Sequence, residues 1–265
     1  MCNINVKIGK SNYEYKKGVI LGDIAKDLTN EYKGIITLGK IDNKLKDLST
    51  KLNKDCELEF IDTTIADGMR VYTRTLSFIF IKACEELYPD CKVTIEHSLS
   101  NGLYCEVKIG KQNLNDEIVD KIKEQVKSII DRNENIEKIV TNKKDAIKMF
   151  EENGNYVKAE LLKYKEYDDV KIYKCGTYIN HFYGHMLPST GYVTVFDIKK
   201  WKSGFVILGP SKSDKTKVQE FIPQPKLSNI YKESELWSDL IGIGEVVSLN
   251  KAIAENKYSE IIRIV

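Results

Sequence analysis

The sequence predicts an α+β protein in two parts, and three observations carry that reading. The first sixty residues alternate polar and apolar in short runs broken by one helical stretch. A long apolar helix pattern then begins at Asp67-Gly68. After it, hairpin, helix and strand signals follow one another as far as residue 232. At 265 residues the chain is long enough for two domains with real cores.

The elements follow in order. Residues 2–7 and 12–19 alternate around Gly9-Lys10-Ser11 and predict a β-hairpin. Gly22-Asp23 opens a helix to about Asn30, with Ile24, Ala25 and Leu28 on one face. Strands at 34–39 and 56–61, with Asp42-Asn43 in the turn between, complete a small mixed unit of β-grasp type over residues 1–61. A helix runs from Asp67 to Tyr88 and is stopped by Pro89. Strands at 92–97 and 103–109 flank Asn101-Gly102, a strong hairpin turn. Ile118, Ile122, Val126 and Ile129 recur at helical spacing over 114–132. A strand at 136–140, helices at 144–150 and 156–164, and strands at 170–174, 191–197 and 204–208 follow. Four of the five prolines fall between 188 and 225, which marks a loop-rich stretch. Residues 233–265 predict an amphipathic helical segment, its apolar face supplied by Leu236, Trp237, Leu240, Val246, Leu249, Ile253 and Ile261.

Composition narrows the function classes. The chain is 42% hydrophobic and 30% charged, as ordinary globular proteins are, and its longest apolar run is too short to span a membrane. The N-terminus lacks a signal-peptide layout, and six scattered cysteines form no CxxC pair. Together these predict reduced thiols in a cytoplasmic protein. A net charge of +2 does not by itself announce a nucleic-acid partner. Arginine is rare at four of 41 basic residues, so Arg70 and Arg74, four apart on one helix, stand out.

Particular motifs carry a family resemblance. Gly22-Asp23-Ile24-Ala25, Ile41-Asp42-Asn43-Lys44-Leu45 and Leu58-Glu59-Phe60-Ile61-Asp62 resemble a TGS domain, the β-grasp module of threonyl-tRNA synthetases and some GTPases. Ala83-Cys84-Glu85-Glu86-Leu87-Tyr88-Pro89 and Asn101-Gly102-Leu103-Tyr104-Cys105-Glu106 resemble the synthetase editing domain, here residues 62–232. Cys175-Gly176-Thr177-Tyr178, Phe182-Tyr183-Gly184, Leu187-Pro188-Ser189-Thr190-Gly191-Tyr192 and Pro225-Lys226-Leu227 resemble the front part of clostridial-type uridine kinases. The resemblance ends where those kinases begin their phosphate-binding domain, which makes an absent kinase domain an expected partner.

In the synthetase editing domain, catalysis is attributed to His-x-x-x-His on the first helix and a later Cys-x-x-x-His. The resemblance lays Arg74 and Phe78 on the helix histidines, and Cys175 and Ile179 on the later pair. Neither Arg, Phe nor Ile serves as a base at neutral pH, so no catalytic residue, metal ligand or cofactor is expected there. The resemblance lines the degenerate cleft with Arg74, Phe78, Lys158, Cys175, Asn180 and His181, with Tyr72 close by. Cations in place of a base and metal favour an anion: a phosphate, a nucleotide or the 3′ end of tRNA or other RNA. The alternative is a cleft that has filled in, with Arg74 paired to a local carboxylate.

Two further motifs test other chemistries. His181-x-x-x-His185 with Cys175 nearby offers three borderline ligands, but Phe182-Tyr183-Gly184 and Pro188 place them on strand or loop. Gly209-Pro210-Ser211-Lys212-Ser213-Asp214-Lys215-Thr216 imitates a phosphate-binding loop, with Asp214 in place of the second glycine and Pro223 and Pro225 where the helix belongs. An exposed lysine-rich loop is the expectation. The functional reading is a non-catalytic ligand- or RNA-binding regulatory module of a uridine kinase-like protein. The competing readings are a trans-acting aminoacyl-tRNA hydrolase using Cys175, His181 and His185, and a dimerising module.

Overall fold

The computed structural model describes residues 3–166, 168–257, 259 and 262–263. Contacts divide the chain into two compact units, Met1–Glu137 with Tyr183–Ile222, and Lys138–Phe182 with Pro223–Val265.

The first unit starts with a β-grasp layer. Strands β1 (Asn3–Ile8) and β2 (Ser11–Lys16) form the hairpin, followed by β3 (Val19–Ile20) and helix α1 (Leu21–Asp27). Then come β4 (Ile36–Ile41), β5 (Lys44–Asp47), β6 (Lys51–Leu52) and β7 (Cys56–Asp62). The five-stranded sheet has the order β2-β1-β7-β4-β5, with β1 and β7 parallel at its centre. Alternation puts Ile4 and Val6 of β1 and Leu58 and Phe60 of β7 on the buried face. Helix α1 buries Leu21, Ile24 and Ala25. A side chain at Gly39 would meet Leu21 at 2.8 Å, so a glycine in β4 lets α1 lie close to the sheet. Asp42 and Asn43 both take positive φ, 47° and 63°, the conformation of a tight two-residue hairpin turn. That turn joins β4 to β5, a strand the sequence reading missed because Lys44–Asp47 holds a single apolar residue.

Helix α2 (Ala66–Leu87) begins directly after this sheet. Its first turn passes so close to β7 that a Cβ on Gly68 would sit 2.0 Å from the Asp62 carbonyl oxygen. All ten residues from 75 to 84 are buried. Lys82, its side chain 6% exposed, is compensated by Glu86 at 2.6 Å and Glu134 at 3.4 Å. Helix α3 (Asp116–Asp131) buries Ile118, Ile122, Val126 and Ile129, the predicted face, and is capped by Asn115, whose side chain accepts from the Ile118 amide. Strands β8 (Lys92–Leu99), β9 (Gly102–Lys108), β13 (Asp197–Trp201) and β14 (Gly204–Leu208) form a four-stranded sheet of order β13-β14-β9-β8. Strands β1 and β9 lie in different sheets.

The predicted strand at 191–197 is corrected. Residues Thr190–Tyr192 form a 3-10 turn, and β13 starts only at Asp197. The alternation of Tyr192-Val193-Thr194-Val195 suggested a ladder, but side chains take the backbone groups instead. The Tyr72 hydroxyl accepts from the Val195 amide and donates to the Val195 carbonyl, each at 2.9 Å.

In the second unit, β10 (Glu137–Asn142), β11 (Asp169–Cys175) and β12 (Tyr178–His181) form a sheet in that order. Helices α4 (Lys143–Glu152) and α5 (Tyr156–Lys163) pack with it around Ala146, Phe150, Ala159, Leu162, Val170 and Ile172. Helices α6 (Pro225–Leu240) and α7 (Val246–Ala254) follow. Here most of the expected apolar face is exposed, namely Leu236, Trp237, Leu240, Val246 and Ile253, while Leu249 is half-buried. Ile261 of that face lies outside the described residues.

The mixed sheets and seven α-helices among the described residues make an α+β protein whose N-terminal layer is a β-grasp. Among the described residues, no helix is long and apolar enough to cross a membrane.

Candidate functional site

Two of the six expected cleft residues belong to the first unit and four to the second. On α2, helical spacing sets Arg74 and Phe78 on one face. Phe78 is fully buried and forms core. Arg74 is half-buried, and its guanidinium donates to the His185 carbonyl at 2.7 Å. Gly184, at φ 89°, lies under the guanidinium, and a Cβ there would sit 3.0 Å from Arg74 Cζ. The neighbouring Thr75 hydroxyl accepts from the Leu187 amide at 3.0 Å and donates to the Val71 carbonyl at 2.9 Å. The segment packed on this helix face within the unit is therefore 184–187, with Met186 and Leu187 buried.

His185 is fixed from the other side: its Nδ1 lies 2.7 Å from Asp47 Oδ1 at the end of β5. The sequence reading had no means to find Asp47, whose partner is 138 positions away.

The second unit assembles a cationic polar group. The N-terminus of α5 is capped by Asn155 and places Lys158 so that its ammonium donates to the Asn180 side-chain oxygen. The same oxygen accepts from the His181 amide at 2.8 Å, while the Asn180 nitrogen donates to the Tyr178 hydroxyl at 2.6 Å. His181 Nδ1 lies 2.6 Å from the Lys171 carbonyl, and Lys165 Nζ is 3.5 Å from His181 Nε2. Burial, with Lys165 and Lys158 adding repulsion, holds His181 below the usual histidine range against the bond to Lys171. Lys165 is also lowered, by burial and then by Lys171. The sequence reading missed Lys165; its place beside β12 depends on how α5 returns into β11. Asn180 is 1% exposed, so the group has a rigid polar base.

Cys175 is fully buried at the end of β11. A thiol without solvent access is poorly placed to attack a substrate. Five free cysteines, Cys56, Cys84, Cys91, Cys105 and Cys175, occur among the described residues. No group of three or more His, Cys, Asp or Glu side chains gathers to hold a metal among those residues. His181 and His185, four apart in sequence, belong to different units and are engaged through Nδ1 to different partners.

The segment 209–216 closes on itself. The Ser211 amide donates to the Lys217 carbonyl and the Gln219 amide to the Gly209 carbonyl, 2.7 and 2.9 Å. Asp214 accepts from the Thr216 amide and hydroxyl and pairs with Lys217, which pulls its carboxyl down to about 2. The backbone amides that a phosphate would need are thus not presented as a cradle. Lys215 turns instead onto the β-grasp layer and donates to the Thr29 and Tyr32 carbonyls at 2.7 and 2.8 Å.

Comparison with known proteins gives these arrangements a context. No protein-family model matches the chain. The threonine–tRNA ligase of Acetivibrio thermocellus is 30% identical over 199 residues, 75% of this chain and 31% of the ligase. Threonine–tRNA ligase 2 of Bacillus subtilis is 27% identical over 202 residues, 76% of this chain and 31% of that enzyme. The Listeria monocytogenes ligase matches 254 residues at 27% identity, 89% of this chain and 40% of the enzyme. The chain thus spans about a third of the length of the curated relatives it matches. A chain in the crystal structure of ATBAG1 in complex with HSP70 matches a third of this one at TM-score 0.21 and 14% identity, too distant to carry an argument. Over about three quarters of its length, this chain is related in sequence to part of the threonine–tRNA ligases.

Proposed function

We propose that the chain is a non-catalytic RNA-binding module with a degenerate editing-type site that takes the 3′ end of tRNA or RNA, or another anion. The observation that carries this is the cationic group Lys158–Asn180–His181–Lys165 in a chain related to threonine–tRNA ligases. Two ammonium groups beside a neutral imidazole, on a buried amide, suit phosphate oxygens better than proton transfer. The substitution of both helix histidines by Arg74 and Phe78, as the resemblance lays them, supports loss of hydrolysis. So does the burial of Cys175, which argues against the hydrolase reading. A regulatory role within a uridine kinase-like protein is part of this proposal. Its support is the motif resemblance, together with the exposed Leu236, Trp237, Leu240 and Val246, which suit a packed partner domain.

Binding of tRNA, followed by fluorescence anisotropy across salt concentrations, tests the reading. Lys158→Met and Lys165→Met should each weaken binding, and each should reduce the salt slope by about one unit. Bound phosphate should also raise the His181 titration midpoint. Unchanged affinity in both variants would overturn the RNA-end site, and Cys175-dependent deacylation of mischarged tRNA would replace it by the hydrolase.

A further inference from the structure

Two sequence motifs that the proposed function leaves aside meet at one cavity of the first unit. The cavity has a volume of 590 Å³, within the size range of small-molecule sites. One side is built by the β-grasp layer through Ala25, Ile35 and Ile36; the facing side holds Tyr192 and Val195. Lys215 supplies the charge, while Lys26, also on the lining, is paired to Asp23 at 3.2 Å. The first motif, Pro188-Ser189-Thr190-Gly191-Tyr192, thus gives an aromatic wall, and the phosphate-loop imitation gives Lys215.

The walls are fixed in advance. Tyr72 holds both backbone groups of Val195 through its hydroxyl. Asn133, at φ 49°, accepts from the Gly191 amide at 3.2 Å and the Ser189 hydroxyl at 2.6 Å. The Thr190 hydroxyl donates to the Ile129 carbonyl at 2.8 Å. A preformed cavity binds without the cost of ordering its walls.

Lys215 indicates what would fill it. Its ammonium is anchored by two backbone carbonyls, which use two of its three protons. Among the described residues, no carboxylate lies within ion-pair distance of it; neighbouring Asp214 is engaged by Thr216 and Lys217. A half-buried cation held by neutral dipoles, beside apolar and aromatic surface, complements an organic anion.

We propose that this cavity is a binding site for a small ring-bearing organic anion, its flat apolar body against Tyr192, Ile36 and Val195 and its anionic group on Lys215, with the Asp23-paired Lys26 adding a weaker positive field. The site is independent of the RNA-end site, which lies in the other unit.

The full chain can be titrated with 8-anilinonaphthalene-1-sulfonate, an aromatic sulfonate, and with N-phenyl-1-naphthylamine, which has the same rings and no charge. The expected result is saturable binding of one molecule of the sulfonate per chain. Lys215→Met should weaken the sulfonate about tenfold, as loss of a charge-assisted hydrogen bond does, and leave the neutral probe nearly unchanged. Lys26→Met, on an exposed side chain, should act in the same direction if the first variant folds poorly. Thr194→Trp, placed at the exposed cavity lining, should block both probes while the circular dichroism spectrum is retained. Non-saturable binding, equal effects of the lysine variants on both probes, or undiminished binding to folded Thr194→Trp would each overturn the proposal.

Discussion

Replacing Tyr72 by phenylalanine removes one oxygen and leaves the ring where it is, fully buried. That oxygen makes two hydrogen bonds of 2.9 Å to the backbone of Val195, 123 residues away. Each is worth about 1 kcal/mol net, and stranding the Val195 groups adds to that, so the loss is about 2–3 kcal/mol. Val195 is only half-buried, so water can reach part of it, and about 2 kcal/mol is the better figure. With a urea m value of about 2 kcal/mol/M, the midpoint of unfolding should fall by about 1 M without a change in slope. Burial holds the Tyr72 phenol well above its ordinary value, so the folded protein keeps the hydroxyl neutral. The unfolded phenol titrates near 10, and a group raised on folding loses nothing below that value. The difference between the two proteins should therefore be flat from about pH 6 to about pH 9. Amide exchange at Val195 should rise more than that at Val193, whose amide bonds to Thr190 instead. A midpoint within about 0.2 M of the parent would refute the idea that this hydroxyl holds the 194–195 segment.

Two other substitutions probe the same unit. Gly184→Ala forces a Cβ at φ 89° to within 3.0 Å of the Arg74 guanidinium, and should destabilise the protein by about 1–2 kcal/mol in urea melts. Arg74→Ala in that background should then have less effect than alone, because the contact is already disturbed. Carboxyl-detected NMR should find Asp214 titrating at about 2, below its ordinary 3.8, with Thr216→Val moving it back up. Because the folded value is the lower one, the interaction is present above pH 3.8 and lost as pH falls through about 2.

The parts of the fold that could be read from sequence are those where one local rule decides. Ile118, Ile122, Val126 and Ile129 form a single stripe, and they are the buried face of α3. The start of α2 and the Asn101-Gly102 hairpin were similarly legible. Strand β5 was not, because Lys44-Leu45-Lys46-Asp47 offers little apolar surface and gains its order from pairing with β4. The 191–197 segment failed for the opposite reason: its pattern suits a strand, but Tyr72 and Thr190 satisfy its backbone from outside. Within the candidate site, Lys158, Asn180 and His181 come together as a group, and Lys165 joins them by a bond that sequence cannot show. Arg74 was legible as an unusual residue, but its acceptor, the His185 carbonyl, follows only from tertiary structure.

The ten buried positions at 75–84 have a consequence for motion. Most helices in a protein of this size keep one wet face from which opening can start, whereas this stretch keeps none. Its amides should be among the last in the first unit to exchange with solvent, and they should do so only when that unit opens as a whole. Phe78 lies inside this stretch and Arg74 one residue before it. The segment 184–187 is tied to that face through Arg74 and Thr75, and to β5 through His185, so it should open only together with the helix. In this protein the helix wall and the segment resting on it should behave as one rigid piece.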